Sequence, residues 1–366
     1  MRFDRRLISH FDWVLFLLVL ALLGAGVLAV YSATYEGNHR FSPFAIRQMS
    51  WAAMGLFCMF LAFAVDYRRL ERWAYLPYIV SVFLLLLVPV LGSSGGGARR
   101  WINLGVFSLQ PSELAKVTLL LVLARFYHRY APPKGYGLRD LIIPAILVAV
   151  PAGLVLAEPN LGTAVILGLL FMTLTFAAGM RIGSLLLVTI AGGGVLPFLW
   201  QHMKPYQKQR VLSFLNPDQD PLGAGYHMIQ SKITIGSGML WGKGFLQGTQ
   251  NRLDFLPEKH TDFVFAVVAE EWGFIGAVLL LTLYGVLMAK LLAIAWQARD
   301  RFGFCLVIGA VGVIFWQLLI NLGMNLGVLP VVGVPLPLLS YGGSSLLTVM
   351  MCLGLALNVS ARRSLF

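Results

Sequence analysis

Ten apolar runs divide the chain, and most are close to the roughly 20 residues that a helix needs to cross a bilayer. Polar connections separate them, and all but one of these are short. The pattern therefore predicts an all-α polytopic membrane protein with ten transmembrane helices. The runs cover residues 13–31, 49–65, 73–91, 112–126, 141–156, 161–178, 184–199, 263–288, 304–324 and 341–359.

The distribution of cations predicts the orientation, because Lys and Arg collect in the cytoplasmic connections of membrane proteins. With the N-terminus inside, 16 cations lie in the cytoplasmic segments and 4 in the short connections of the other side. Both termini are therefore predicted to be cytoplasmic. The 16 are Arg2, Arg5, Arg6, Arg68, Arg69, Arg72, Arg125, Arg129, Lys134, Arg139, Arg181, Lys290, Arg299, Arg301, Arg362 and Arg363, and the 4 are Arg40, Arg47, Arg99 and Arg100.

One exterior connection is long, at about residues 202–261 between the seventh and eighth runs. Long loops are translocated largely regardless of their charge, so its seven cations do not contradict the topology. Tyr226, Ile229 and Ile233 repeat at helical spacing and predict a short amphipathic helix at the membrane interface. The glycine-rich stretch that follows, residues 236–248, is typical of turns.

Composition supports the same class of protein. The chain of 366 residues is 58% hydrophobic and 12% charged, whereas soluble domains are about 45–50% apolar and about 25% charged. The net charge of +12 does not indicate nucleic-acid binding, because no basic stretch is interleaved with aromatics. No linker divides the chain, so residues 1–366 are predicted to form a single transmembrane domain.

Ionisable residues at membrane depth are costly and often functional. Glu113 and Lys116 open the fourth run three residues apart, so they share one helix face and should form an ion pair. Two interpretations remain open for this pair: it holds helices together, or Lys116 also faces a polar cavity that binds substrate.

A second acidic position is Asp262, at the exterior start of the eighth run. Ala266 and Ala269 follow on the same helix face and would leave room beside its carboxylate. The alternative is a helix cap or a first-turn acid. Glu270 and Glu271 lie deeper, and at least one is expected to make an interior polar contact.

Further candidate pocket residues are Glu258 and His260, just before Asp262, and Ser340, which ends a connection rich in proline and glycine at residues 327–340. Irregular backbone near a membrane persists only where protein buries it or where it lines a cavity. This connection is therefore either part of a site wall or a structural turn.

Several long motifs resemble the SEDS family of polytopic membrane proteins (shape, elongation, division and sporulation). They are QPSELAK (110–116), EPNLGT (158–163), DPLGAGYHMIQSKITIGSGMLWGKGFLQGTQ (220–250), FLPEKHTDFVFAV (255–267) and LPVVGVPLPLLSYGGSS (329–345). The similarity covers essentially the whole chain. It departs from the family pattern at Glu158-Pro159-Asn160, where relatives often have Q-P-D, so a carboxylate is displaced from position 160 to 158.

The resemblance implies a peptidoglycan glycosyltransferase that polymerises lipid II onto a lipid-linked nascent glycan at the outer face of the cytoplasmic membrane. It places the catalytic aspartate at Asp262 and the family's ion pair at Glu113 and Lys116. A general base suits such a reaction, and cations or a metal would stabilise the diphosphate leaving group. The candidate cations are Arg210, Lys232, Lys116 and, less strongly, Arg47.

The resemblance also implies partners: a class B penicillin-binding protein that supplies transpeptidation, and other membrane proteins of the elongation complex. No resident cofactor is indicated, although a divalent cation (Mg²⁺ or Mn²⁺) shared between Asp262 and the diphosphate is compatible with the residues. The motifs favour the elongation branch of the family over its division-specific branch. A flippase for the same lipid-linked precursor and a scaffold without chemistry are the alternative functions.

Overall fold

The computed structural model describes residues 10–35, 42–95, 98–103, 105, 108–203, 205–217, 223–253, 255–256 and 258–363. The predicted cytoplasmic cations Arg2, Arg5 and Arg6, the exterior Arg40 and parts of the motifs at 220–250 and 255–267 lie outside these residues.

The chain is mostly helical, and each of the ten apolar runs coincides with a helix or a broken helix. The helices are α1 (Trp13–Ala33), α2 (Pro43–Ala64), α3 (Tyr67–Trp73), α4 (Tyr75–Leu91), α5 (Pro111–Arg129), α6 (Ile142–Ala157), α7 (Leu161–Ala177), α8 (Ile182–His202), α9 (Pro205–Leu215), α10 (Ala224–Ser237), α11 (Thr249–Arg252), α12 (Val264–Trp296), α13 (Arg301–Asn325) and α14 (Gly343–Arg362).

Within the described residues, six helices are long and apolar enough to cross a membrane. The pair α3 and α4, bent by 60° at its break, makes a seventh span if it is counted as one. Two shorter apolar helical segments, Leu161–Ala177 of α7 and Ile182–Gly194 of α8, fall below this length. The chain is therefore a multi-pass membrane protein, and the count of ten spans stays a prediction.

A small sheet in the connection between α4 and α5 corrects the all-α prediction. Its strands β1 (Ser93–Gly95), β2 (Ala98–Asn103) and β3 (Ser108–Leu109) pair antiparallel in that order. The strands are too short to show a periodicity of their own. Their pairing depends on contacts between the strands rather than on a local sequence pattern. The sheet matters for function because β2 brings its side chains over the end of α5.

Helices α5, α13 and α14 form the buried centre of the bundle. Nearly every residue of α5 from Pro111 to Ala124 is buried, and α14 is buried over most of its length. Close approach of α14 to α2 depends on Gly354, since a Cβ there would lie 2.4 Å from the carbonyl oxygen of Met59. Small residues at such contacts let membrane helices pack closely.

The long connection contains the predicted short helix, α10, and it packs on the bundle. Met228, Ser231 and Thr234 form the buried face of α10, and Ser231 donates a hydrogen bond of 2.9 Å to the carbonyl of Asn325. Ile233, on the predicted apolar face, is exposed. The buried face is therefore set by small and polar contacts with the bundle, which hydrophobic periodicity does not reveal.

The turn after α10 docks on a kink in α12 at Gly273, whose φ of 66° ends the regular helix. The amides of Phe274 and Ile275 donate to the carbonyls of Met239 and Leu240. Gly273 is required because a Cβ there would lie 2.6 Å from the Leu240 carbonyl oxygen. The kink thus has an identifiable cause, the insertion of this turn into the helical hydrogen-bond ladder.

Candidate functional site

A cavity of about 740 Å³ lies where α2, α5, α7, α13 and α14 meet β2 and the connection before α14. It brings together four of the residues predicted from sequence: Asp262, Glu113, Lys116 and Arg47. Clefts that bind small molecules typically have volumes in this range. The cavity is therefore the candidate active site.

Asp262 is held in a turn just before α12 by its own backbone. Its carbonyl accepts hydrogen bonds from the side-chain amides of Asn321 (2.9 Å) and Asn325 (3.0 Å), and its N–H donates to the carbonyl of Glu258. The N-cap of α12 is Phe263 and has no side-chain cap bond. The helix-cap interpretation of Asp262 is therefore not supported.

The residues beside the Asp262 carboxylate differ from the ones predicted. Ala266 and Ala269 are buried in the packing of α12 and do not line the cavity. Gly333 lies beside the carboxylate instead, and a Cβ at this position would be in van der Waals contact, 3.5 Å from Asp262 Oδ2. Its φ of 70° favours glycine.

The half-buried carboxylate of Asp262 has a pKa above its ordinary value. Burial and the neighbouring Glu258 raise the pKa of Asp262 from 3.8 to about 6, while Arg210 and Arg100 act in the opposite direction. At pH 7 the group is mostly ionised yet more basic than a solvated aspartate. Catalytic bases work best when their pKa lies near the operating pH.

Glu113 and Lys116 form the predicted ion pair, with 2.8 Å between Lys116 Nζ and Glu113 Oε2. Both belong to α5, so the pair does not itself join two helices. The carbonyl of Glu113 accepts a hydrogen bond from Thr348 on α14. Both side chains are buried and line the cavity, which is the geometry required by the functional interpretation.

Two arginines contribute positive charge nearer the opening. Arg47 is exposed on α2 and lines the cavity. Arg100, whose position in the sequence indicated only topology, reaches the same cavity from β2. Its guanidinium donates to the carbonyls of Glu158 and Pro159. A cation in a short exterior connection is the signal that could have identified Arg100.

Five other predicted pocket residues do not line the cavity, and each has a different position. Arg210 lies on α9, close enough to lower the pKa of Asp262. Lys232 is exposed on α10, and its side chain lies against Gly327. Glu258 is exposed and accepts a hydrogen bond from Thr261.

The remaining two residues, His260 and Ser340, lie next to a residue of the cavity wall. The ring of His260 packs against Phe44 and Tyr341, and its carbonyl accepts a hydrogen bond from the Tyr341 amide. Ser340 is buried, and its Oγ accepts from the Leu336 amide. Tyr341 itself lines the cavity, so these two residues position a wall residue.

Sequence reasoning missed further polar and aromatic residues of the cavity, among them Trp51, Asn160 and Gln317. Gln317 was detectable, because with Asn321 and Asn325 it forms a polar stripe at four-residue spacing within an otherwise apolar run. Asn160, at the position of the departure from the family pattern, caps α7 and donates to Ser112 Oγ at 3.3 Å.

The displaced carboxylate and the two deeper glutamates lie outside the cavity lining. Glu158 is buried in the turn before α7, and burial raises its pKa to about 8. Glu270 pairs with Lys243 at 2.7 Å, and Glu271 accepts a hydrogen bond from Ser32. The expectation that at least one deeper glutamate makes an interior polar contact is confirmed for both.

Comparisons with known proteins identify the family. Residues 12–365 match the family model FTSW_RODA_SPOVE, described as "Cell cycle protein". The chain belongs to the FtsW/RodA/SpoVE family. Among its relatives, "Peptidoglycan glycosyltransferase MrdB" of Escherichia coli K12 is 41% identical, covering 97% of this chain and 95% of that protein. "Stage V sporulation protein E" of Bacillus subtilis is 38% identical, covering 95% and 96%.

Solved structures show that this family member has a RodA-like fold. RodA of Thermus thermophilus, a "rod shape determining protein", superimposes with a TM-score of 0.72 at 33% identity, covering 97% of this chain and 98% of that one. A chain from a peptidoglycan synthase complex described as coordinating polymerization and crosslinking gives a TM-score of 0.82 at 36% identity, with the same coverage.

Proposed function

We propose that this member of the FtsW/RodA/SpoVE family is a peptidoglycan glycosyltransferase that polymerises lipid II. The observation that carries the proposal is the cavity in which the Asp262 carboxylate, apart from the Glu113–Lys116 ion pair, lies with the cations Arg47 and Arg100. Relatives of comparable length are named for the same activity, which agrees with this arrangement.

The proposed step needs one base. Asp262 accepts the proton of a sugar hydroxyl, the hydroxyl oxygen forms a bond to the anomeric carbon of the lipid-linked glycan, and the bond from that carbon to the diphosphate breaks with inversion. A glycosidase pairs its base with an acid that protonates the leaving group. A diphosphate leaves as a stable anion, so one carboxylate is sufficient here.

The cations act on the leaving group. Arg47 and Arg100 lie toward the opening and can donate to diphosphate oxygens, and guanidinium groups suit this task because they bind such oxygens in pairs. Positive charge placed where negative charge develops lowers the barrier most in a site shielded from water. Arg210 and Lys232, outside the lining, act at longer range in this proposal.

A divalent cation fits this chemistry without a built protein site. Among the described residues, no group of three or more His, Cys, Asp or Glu side chains is arranged to hold a metal ion. Such an ion would use Asp262 and the diphosphate oxygens of the substrate as ligands, and it would supply charge neutralisation.

The topology belongs to the same proposal: ten spans with both termini in the cytoplasm, and the cavity at the periplasmic side. The positive-inside count supports this orientation. With lipid II delivered to the outer leaflet, the exterior position of the cavity places the base and the substrate headgroup on one side of the membrane.

Elongation and rod shape are the proposed cellular role. The E. coli and Treponema pallidum relatives, MrdB and RodA, support it, and FtsW proteins that are 35% to 38% identical keep the division role as an alternative. The proposed partner is a class B penicillin-binding protein, because the similar chain in the synthase complex acts beside a crosslinking activity. Other membrane proteins of the elongation complex are proposed from the family resemblance.

The structure does not favour a flippase. A translocation path needs polar groups through the full depth of the bundle. Below Lys116 and Gln317, the next helical turns of α5 and α13 present buried apolar side chains, among them Leu120, Val313 and Ile314. The cavity therefore ends within the bundle.

One experiment separates these functions. The purified protein, alone and with its penicillin-binding partner, is reconstituted in liposomes with fluorescent lipid II. Gel analysis measures glycan chains, and quenching by a membrane-impermeant reductant measures translocation. We expect chains without accelerated translocation. Accelerated translocation without chains would overturn the proposal.

A further inference from the structure

Three of the buried polar side chains that line the cavity, Glu113, Lys116 and Gln317, are together called the cavity floor here. Their exposed fractions are 4%, 0% and 0%, and all three line the cavity. Glu113 and Lys116 satisfy each other's charge through their ion pair. Gln317 is different, because it is neutral and stands on the opposite helix, α13.

Neither polar atom of the Gln317 amide has a hydrogen-bond partner among the residues that the structure describes. Buried amides in folded proteins nearly always have partners, and each exception calls for an explanation. An amide presents two N–H donors and a carbonyl acceptor. Its natural complement is another amide, which donates through N–H and accepts through its carbonyl.

The depth of Gln317 indicates which part of the substrate reaches it. Asn321 holds the carbonyl of Asp262, and Gln317 lies four residues earlier on the same helix, which is about 6 Å along the axis. The C2 and C4 substituents of one sugar ring are separated by a comparable distance. A sugar whose C4 hydroxyl meets Asp262 can therefore direct its C2 substituent to the cavity floor.

We propose that Gln317 is a specificity-determining residue that binds the 2-acetamido group of the sugar carrying the attacking hydroxyl. This inference rests on the proposed function and adds a recognition site to it. The Gln317 side-chain amide donates to the acetamido carbonyl and accepts from the acetamido N–H. The ion pair beside it leaves no net charge at the floor, which suits a neutral group. Diphosphate binding stays with the arginines nearer the opening.

The test compares three forms of lipid II: the natural acetylated form, a form whose non-reducing sugar carries a free amine at C2, and a form with the same change on the other sugar. A site built to hydrogen-bond a group rejects analogues that lack it by orders of magnitude. We expect the wild-type protein to prefer the acetylated form by at least about 100-fold in kcat/KM. Gln317→Met, similar in length but without the amide, should reduce the preference to below about 10-fold by slowing the acetylated form.

Gln48→Met is the matched control. Gln48 is also buried, but its Nε2 donates to the carbonyl of Ser340 and it does not line the cavity. Damage to folding in this variant should slow all three forms of lipid II equally, so its preference should stay at the wild-type value. Thermal unfolding of all three proteins in detergent reports whether they are folded.

The outcomes are distinct. A wild-type protein that makes no polymer from any of the three forms contradicts the proposed function itself. Polymerisation by the wild type, with an undiminished preference in Gln317→Met, overturns only this inference and assigns the amide to structure or hydration. The inference is also overturned if Gln317→Met reduces the preference only against lipid II deacetylated on the other sugar, because the amide then contacts the wrong ring.

Discussion

Neutralising one member of the Glu113 and Lys116 pair tests whether the pair serves stability, catalysis or both. Both side chains are nearly inaccessible to solvent and lie 2.8 Å apart. Glu113→Gln leaves an unpaired buried cation, and Lys116→Met leaves an unpaired buried carboxylate. Breaking a buried pair in this way costs about 3–5 kcal/mol.

The double variant Glu113→Gln with Lys116→Met removes both charges, so it leaves no unpaired buried charge. Replacing a whole buried pair is often neutral for stability, so we expect the double variant to recover most of the loss. In a chain of this size, about 3–5 kcal/mol corresponds to a decrease in Tm of roughly 5–10 °C. Thermal unfolding in detergent should therefore show two depressed single variants and a nearly normal double variant.

Polymerisation by the same three proteins then separates the two roles. Because Lys116 lines the cavity, we expect the double variant to be folded and still at least about tenfold slower than the wild type. A double variant that recovers both Tm and rate would show that the pair is only structural. Single variants with normal Tm would contradict the reasoning about buried charge.

Three further predictions follow from the same structure. Polymerisation should fall about tenfold per pH unit below about pH 6 and level off above it, because the base must be deprotonated and the pKa of Asp262 is about 6; the pH profile of kcat/KM checks this. Gly343→Ala should reduce kcat/KM at least about tenfold, since a Cβ there would lie 2.2 Å from the ring of the cavity residue Trp51. Lys243→Met should reduce stability by about 1–3 kcal/mol, measured as a lower Tm, because the buried Glu270 loses its charged partner at 2.7 Å and keeps the amide of Gln250 as a donor.

Controls for these variants exist in the chain. Gly168→Ala adds a methyl group where, among the described residues beyond its own helical turn, no atom lies within 4 Å, so it should keep the wild-type kcat/KM. Lys134→Met removes an exposed cation and should leave Tm within about 1 °C of the wild type. Equal effects in variant and control would contradict the packing and charge arguments. A flat profile between pH 5 and pH 7 would contradict the assignment of the base.

Helix positions were predictable because they depend on local periodicity. Each apolar run is helical. Glu113 and Lys116 form a pair because side chains three positions apart on one helix are neighbours whatever surrounds them. The sequence also predicted that Asp262 lies at the start of a helical run, and in the structure it directly precedes the N-cap of α12. These features require only neighbours within about one helical turn.

The rest of the site depends on contacts between distant segments. Arg100 enters the cavity because a small sheet folds over α5, and Gly333 lies against the Asp262 carboxylate from a segment about 70 residues later. Nothing in the local sequence shows either contact. The kink at Gly273 is similar, since its cause is the turn that docks on it. The polar stripe of Gln317, Asn321 and Asn325 was visible in the sequence. The hydrogen bonds from Asn321 and Asn325 to the carbonyl of Asp262 were not.

The most direct test of the account is polymerisation of labelled lipid II by the wild type, Asp262→Asn, Asp262→Ala and the control Glu258→Gln, each with the penicillin-binding partner. The control removes a carboxylate four residues away that does not line the cavity. We predict loss of polymer in both Asp262 variants, with normal folding and partner binding, and a rate within about threefold of the wild type for Glu258→Gln. Polymer formed at the normal rate by Asp262→Ala would contradict the central claim.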